Sequence, residues 1–266
     1  MKLIIYPEPG YEGWGKFLAE MPNGWEIGNY QLLQELKDNE LEVDVWPCVV
    51  DKQKDAGLCL DFPKYPCDIP DRTVCVMLEP PVVFPREYIK MNSLPFKRIL
   101  TFARDFCDDV RVFWEPYPIT KYEGTLADKR DGYICAVSGR GYPFESVTIN
   151  GRFYESFVQR RREAYMSMGR DLDLYGFGWM DDTEMRNAVN YKGTIPGNKI
   201  PVMSGYKNAI VFENSYCEGY ASEKQYDAQV AGVHPLLRGW RPDYPWEYAY
   251  TENWVKRVVK HIMGVL

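Results

Sequence analysis

The residues best placed to do chemistry lie together in YKNAIVFENSYCEGYASEKQYDAQVAGVHPLLRG, positions 206–239. The apolar run in NAIVFE reads as a buried strand that delivers Glu213, Asn214 and Ser215 to its carboxyl edge. A loop with Gly219 and Tyr220 comes next. A helix then opens at Ser222-Glu223-Lys224 and closes at Gly232, in the manner of a glycine C-cap. The first turn of a helix offers unpaired N–H groups and a partial positive charge, a setting that favours a bound phosphate. Acidic side chains are the usual occupants there, so Lys224 runs against the preference. A cation at an electropositive helix end makes sense when an anion sits between them. The alternative is that Lys224 reaches into solvent while Glu223 caps the helix.

A second source of positive charge is FYESFVQRRREAYMSMGRDLDLYG, positions 153–176. A helix is expected from about Gly151 to Met168. At about 100° per residue, Phe153, Phe157, Ala164, Tyr165 and Met168 share one face. Arg161 falls in the middle of that face, with Arg160 and Arg162 at its flanks. An inward-pointing arginine needs a partner, because burying a lone charge is costly. A phosphate held through the guanidinium fork would serve, and so would a structural carboxylate such as Asp171 or Asp173. Arg161 is the first choice and Arg160 the second.

The elements that must carry these residues are strands alternating with helices. Lys2 to Tyr6, LEVDVW (41–46), TVCVML (73–78) and RILTFA (98–103) read as strands, with a helix from about Asn29. Positions 116–132 are rich in proline, glycine and charge and make the best linker. A second series comes after it: YICAVS (133–138), the arginine helix, LDLYG (172–176), NAIVFE (208–213), a helix from about Ser222 to Ala231, and HPLLRG (234–239). This pattern predicts an α/β fold with one domain over 1–117, a linker at about 118–132 and a second domain over 133–266. The amphipathic helix NWVKRVVKHIM (253–263) is expected to pack back on the first domain. Ligands in such sheets sit beyond the carboxyl ends of the strands, which is where these segments place their polar residues.

FENS at 212–215, then Tyr220, then Glu223-Lys224, resembles the signature of the alpha-1,3-fucosyltransferase family, and Ala231 to Gly239 is similar to the family's next segment. The resemblance covers about Tyr133 to Gly239; on the N-terminal side it rests mainly on MLEPP and on strand order. It implies a GT-B-like fold, two Rossmann-like domains facing across a cleft, and an inverting, metal-independent transfer of L-fucose from GDP-fucose to a glycan hydroxyl. By the same resemblance Lys224 holds the donor pyrophosphate and Glu223 touches sugar or ribose hydroxyls. Tyr220 lines the pocket and Asn214 lies near the nucleotide, with Glu213 and Ser222 as weaker members. The family's phosphate-binding arginine precedes a DLYG-like strand, which points to Arg161 with Arg160 behind it. Glu79, in the setting E-P-P at a strand end, corresponds to the family's general base; the plainer reading is an ordinary strand-end carboxylate. Asp105, Asp108, Asp109 and Glu115 are weaker competitors. The donor and a glycan acceptor are the implied partners, with no further cofactor. Another nucleotide-sugar donor and a glycan- or nucleotide-binding protein without turnover are the alternatives.

Composition narrows the rest. The net charge is −6 and lysine and arginine are dispersed, which argues against a nucleic-acid partner. Aromatic side chains make up 15% of the chain; they suit sugar rings, though packing accounts for most of them. Tyr11 and Trp14 in YPEPGYEGWG (6–15) are candidates for an acceptor pocket, or simply part of a surface loop. Seven cysteines without a CxxC pair exclude a complete disulfide framework and favour free thiols in a reducing compartment. Two histidines, His234 and His261, exclude a histidine-rich metal site. Asp171-Leu-Asp173 mimics a metal-binding DxD but reads as structural, and GRGYP (139–143) as a turn. No apolar run reaches bilayer length and MKLIIY enters directly into a strand, so a soluble, cytoplasmic protein is expected.

Overall fold

A computed structural model describes residues 2–6, 35–36, 38–39, 41–45, 48, 50–60, 67–141 and 144–265. Of the helix expected from about Asn29, Glu35, Leu36 and Asp38 are described and helical, with Leu36 buried; its earlier part and the loop carrying Tyr11 and Trp14 lie outside the described residues. The chain divides into two compact units, one formed by 1–120 with 243–266 and the other by 121–242. Each is an α/β unit built on a parallel sheet.

In the first unit the strands are β1 (Lys2–Tyr6), β2 (Glu42–Val45), β3 (Ala56–Leu60), β4 (Thr73–Met77), β5 (Arg98–Thr101) and β6 (Val112–Trp114). They lie in the order β2-β1-β3-β4-β5-β6, all parallel. Strands covered on both faces become nearly continuous apolar runs, and β4 is buried at every position. Helix α1 (Pro85–Ile89) comes after β4.

The chain's last two helices, α6 (Trp246–Ala249) and α7 (Thr251–Met263), belong to this unit. Thr251, Trp254, Val255, Val258, Val259 and Ile262 are buried, the stripe expected of a helix with one face on a sheet. Its apolar members pack against Leu3, Ile5, Leu58, Val76 and Leu100. Burial of each large apolar side chain is worth about 1.5–3 kcal/mol, so this stripe anchors the helix firmly. Arg257 adds an ion pair to buried Glu115 at 2.7 Å. Trp114 stacks on Tyr248, with ring planes 4° apart.

The second unit contains β7 (Gly132–Val137), β10 (Leu172–Tyr175), β11 (Asn190–Gly193), β12 (Tyr206–Phe212) and β13 (His234–Arg238). Their order is β11-β10-β7-β12-β13, again all parallel. The chain winds one way from β7 and then returns to its other side, so the topological switch point lies between β7 and β12. Crevices beyond the carboxyl ends of strands at such a point are where ligands bind in sheets of this type.

One element differs from the expectation. The helix expected from about Gly151 begins only at Val158: α2 is Val158–Met168. The residues before it form an antiparallel hairpin, β8 (Val147–Ile149) with β9 (Arg152–Tyr154). Asn150 and Gly151, both at positive φ, make its turn. Asn-Gly suits a tight hairpin turn because both positions tolerate that conformation. Phe153 is consequently a strand residue, 62% exposed, and not part of a helical face. The remaining helices of this unit are α3 (Thr183–Ala188), α4 (Ile200–Ser204) and α5 (Glu223–Val230).

Candidate functional site

Two groups of side chains converge on the carboxyl edges of β7 and β12. The first is built around Arg161. Backbone bonds from Phe157 N to Asn214 O (3.0 Å) and from Tyr216 N to Glu155 O (3.2 Å) stitch the start of α2 to the loop after β12. Arg161 stands one turn into α2, between buried Phe157 and buried Tyr165, and is only 2% exposed. Its Nη2 donates to the carbonyl of Arg140, in the loop after β7, at 3.0 Å. Among the described residues its buried Nε has no hydrogen-bond partner.

Among the described residues no carboxylate forms an ion pair with Arg161. The neighbouring arginines are committed elsewhere: Arg160 to Glu155 at 2.7 Å, and Arg162 to Asp182 and Glu184. Gly141, at positive φ, makes room for the guanidinium. A Cβ there would stand 2.8 Å from Arg161 Nη2. The structural partner considered for this arginine is occupied as well. Asp173 accepts from Tyr206 Oη at 2.7 Å, and Asn190 and Lys192 also engage it. That network gives the DLD segment a structural use.

The second group surrounds the first turn of α5. Glu213, fully buried at the end of β12, accepts from Ser222 N (2.9 Å), Ser222 Oγ (2.6 Å) and Gln225 Nε2 (2.9 Å). A buried carboxylate with three donors is well satisfied, and here it fixes the helix entry to the strand end. Ser222 is the N-cap of α5. Lys224 Nζ folds back to Ser222 Oγ at 3.1 Å, with Glu223 Oε1 at 3.7 Å and Glu213 Oε2 at 3.8 Å. Asn214 is half-buried beside this turn and Tyr220 is buried in the connecting loop.

Lys199, the residue before α4, pairs with Glu223 at 3.1 Å and with Asp227 at 2.9 Å. Burial works against ionisation of Glu223, but the Lys199 and Lys224 charges outweigh it and hold the carboxyl down at about 2. At Asp227 burial prevails over Lys199, and with the Glu223 charge alongside the carboxyl is pushed up to about 6.

These opposite shifts predict a pH signature. Asp227 titrates above its ordinary 3.8 in the folded protein, so between there and about 6 the native state holds more protons than the unfolded chain. Stability from this group therefore falls as pH rises through that window. Glu223 acts in the reverse sense, adding stability as pH rises from about 2 to 4.5. Asp227→Asn is expected to flatten the decline in melting temperature between pH 4 and 6. An unchanged slope would assign the decline to other groups.

Glu79 belongs to the first unit, two residues beyond β4, and is half-buried. Its backbone carbonyl accepts from Tyr88 Oη at 3.0 Å. Two of its competitors have structural uses: Asp108 accepts from the N–H groups of Val110, Arg111 and Val112, and Glu115 pairs with Arg257.

Sequence reasoning missed Lys199, Gln225 and Asp227. The signal for one of them was present, since Glu223 and Asp227 are four apart on a helix and therefore face one side. Two acids so placed call for a cation, though not for one 24 residues upstream.

All seven cysteines are free thiols, and no helix among the described residues is long and apolar enough to cross a membrane. No protein family and no curated protein matches the chain. Among solved structures, an alpha1,3-fucosyltransferase is similar at 16% identity, over 90% of this chain and 68% of that one, with a TM-score of 0.50. An alpha1,3-fucosyltransferase with GDP gives 14% identity over 99% and 77%, at 0.49. An alpha-glucosyltransferase in complex with UDP and a 13-mer DNA gives 10% over 89% and 79%, at 0.48. What the chain shares with the first of these, at such identity, is the fold: two Rossmann-like units of the GT-B kind.

Proposed function

We propose that the protein is a glycosyltransferase that takes a sugar from a nucleoside-diphosphate donor. The specific reaction proposed is transfer of L-fucose from GDP-fucose to a glycan hydroxyl, with inversion and without a metal ion. The observation that carries the reading is Arg161. Its guanidinium is buried to 2% exposure at the switch point of a parallel sheet. Among the described residues its Nε has no partner and no carboxylate pairs with it. Burying a charge in this way is costly unless a bound anion supplies the missing partner. The first turn of α5, with Lys224 and the N–H groups of a helix start, provides a second anion-favouring element on the neighbouring strand.

In the proposed reaction the acceptor oxygen attacks the anomeric carbon as the bond from that carbon to the diphosphate breaks. The departing nucleoside diphosphate takes the bonding electrons, and Arg161 and Lys224 stabilise the charge that grows on it. The acceptor proton passes to the Glu79 carboxylate. Glu223 binds donor hydroxyls, Tyr220 and Asn214 complete the nucleotide pocket, and Glu213 with Ser222 fixes the turn. Two fixed cations do the work that a divalent ion performs in metal-dependent transferases.

A thermal-shift series with GDP, UDP and ADP tests the reading. Binding at 100 times Kd stabilises the native state by about 2.7 kcal/mol. GDP is expected to raise the melting temperature more than UDP or ADP, with chelator present throughout. A larger rise with UDP would move the donor to another nucleotide sugar, and no rise with any of them would end the glycosyltransferase reading.

A further inference from the structure

Resting on the proposed donor site, we infer that Lys199 is a positioning residue for the diphosphate-binding turn of α5. It draws the Glu223 carboxylate toward α4 and so leaves the Lys224 ammonium available to an anion.

The geometry is a competition for one atom. Glu223 Oε1 lies 3.1 Å from Lys199 Nζ and 3.7 Å from Lys224 Nζ. Lys199 holds the nearer place and is itself fixed by Asp227 at 2.9 Å. Asp227 is buried on the inner side of α5, and Lys199 immediately precedes α4, so the bridge ties two helices together. Lys224 keeps only longer contacts to carboxylates, 3.7 and 3.8 Å, and a hydrogen bond to Ser222 Oγ.

Three carboxylates, Glu213, Glu223 and Asp227, thus face two ammonium groups. Without Lys199 the Glu223 carboxylate has Lys224 as its remaining cation among the described residues. Lys224 then closes onto it, and the mouth of the helix turns negative. An incoming diphosphate would have to break that pair. A purely structural Lys199, by contrast, would serve only to neutralise buried Asp227, and removing both together would leave the anion site intact.

Calorimetric titration with inorganic pyrophosphate and GDP separates these cases. Pyrophosphate reads the cations without involving sugar or ribose hydroxyls. Lys199→Met combined with Asp227→Asn is expected to weaken both ligands about tenfold or more, the scale of losing a close charge partner. Adding Glu223→Gln to that pair is expected to restore pyrophosphate affinity, because Lys224 is released again. Lys199→Arg is expected to bind both ligands like wild type.

The inference is overturned by wild-type affinity in the double variant, or by failure of Glu223→Gln to restore it. If the double variant does not fold, Glu223→Gln alone decides, read with pyrophosphate, which carries none of the hydroxyls that Glu223 binds. A change below about threefold fits a Lys224 already released, whereas tightening of about tenfold means Glu223 was holding it. A wild-type protein that binds neither ligand removes the donor site and the role of Lys199 with it. Binding by wild type that the double variant matches removes the role of Lys199 alone.

Discussion

Arg161→Met is expected to lower donor turnover by about 10²–10³ while raising the melting temperature of the ligand-free protein. Both signs come from the same burial. Without ligand the guanidinium donates to the Arg140 carbonyl, and among the described residues its Nε has no partner. Methionine keeps much of the length and apolar contact with Phe157 and Tyr165 while removing the desolvated charge. Replacing a buried charged group by a packed apolar one is often neutral or stabilising by about 1–4 kcal/mol. The lost hydrogen bond to Arg140, made by a charged donor, costs about 1.5–3 kcal/mol against that. The upper part of the first range leaves a net gain, and each 1 kcal/mol of it raises the melting temperature of a chain of this size by about 2–4 °C.

With GDP the order inverts. Wild type gains the binding energy and the variant does not, so the two melting curves should cross as ligand is added. Calorimetric melts with and without GDP provide the measurement. A variant that melts lower and still binds GDP would show Arg161 to be a packing residue, and the anion site would lose its central group.

Glu79→Gln should lower kcat by about 10²–10⁴, the usual contribution of a positioned general base, with GDP affinity unchanged. The amide is isosteric and cannot accept a proton. The bond from Tyr88 Oη goes to the backbone carbonyl of Glu79, which the substitution leaves in place. The loss should appear in turnover. The ascending limb of the pH profile of kcat should disappear with it. Normal turnover in this variant would exclude Glu79 as the base. A wild-type protein that binds GDP and never turns over would favour the binding-protein alternative.

The sequence by itself carried the strands that are buried on both faces. β1, β4, β7 and β12 are contiguous apolar runs bounded by turn residues, so periodicity and length identify them. β3 went unseen although it lies between β1 and β4. Its sequence, AGLCL, has no β-branched or aromatic residue, and only pairing on both sides makes it a strand. The arginine helix shows the converse. Its apolar residues fit a helical period back to Phe153, but the Asn150-Gly151 turn imposes a hairpin and delays the helix to Val158.

Residue types and spacing likewise supplied the strand end at Glu213, the helix start at Ser222 to Lys224 and the misplaced cation Lys224, because these depend on neighbours along the chain; that Ser222 and not Glu223 is the cap came from the structure. Selection among Arg160, Arg161 and Arg162 needed tertiary structure. Helical phase favoured the middle one, but only the folded unit shows its neighbours paired with acids and Arg161, among the described residues, with none. The Lys199 bridge was decided there as well. Sheet order folds a residue 24 positions upstream against the first turn of α5, and a charge network closed through space leaves no period in the sequence that closes it.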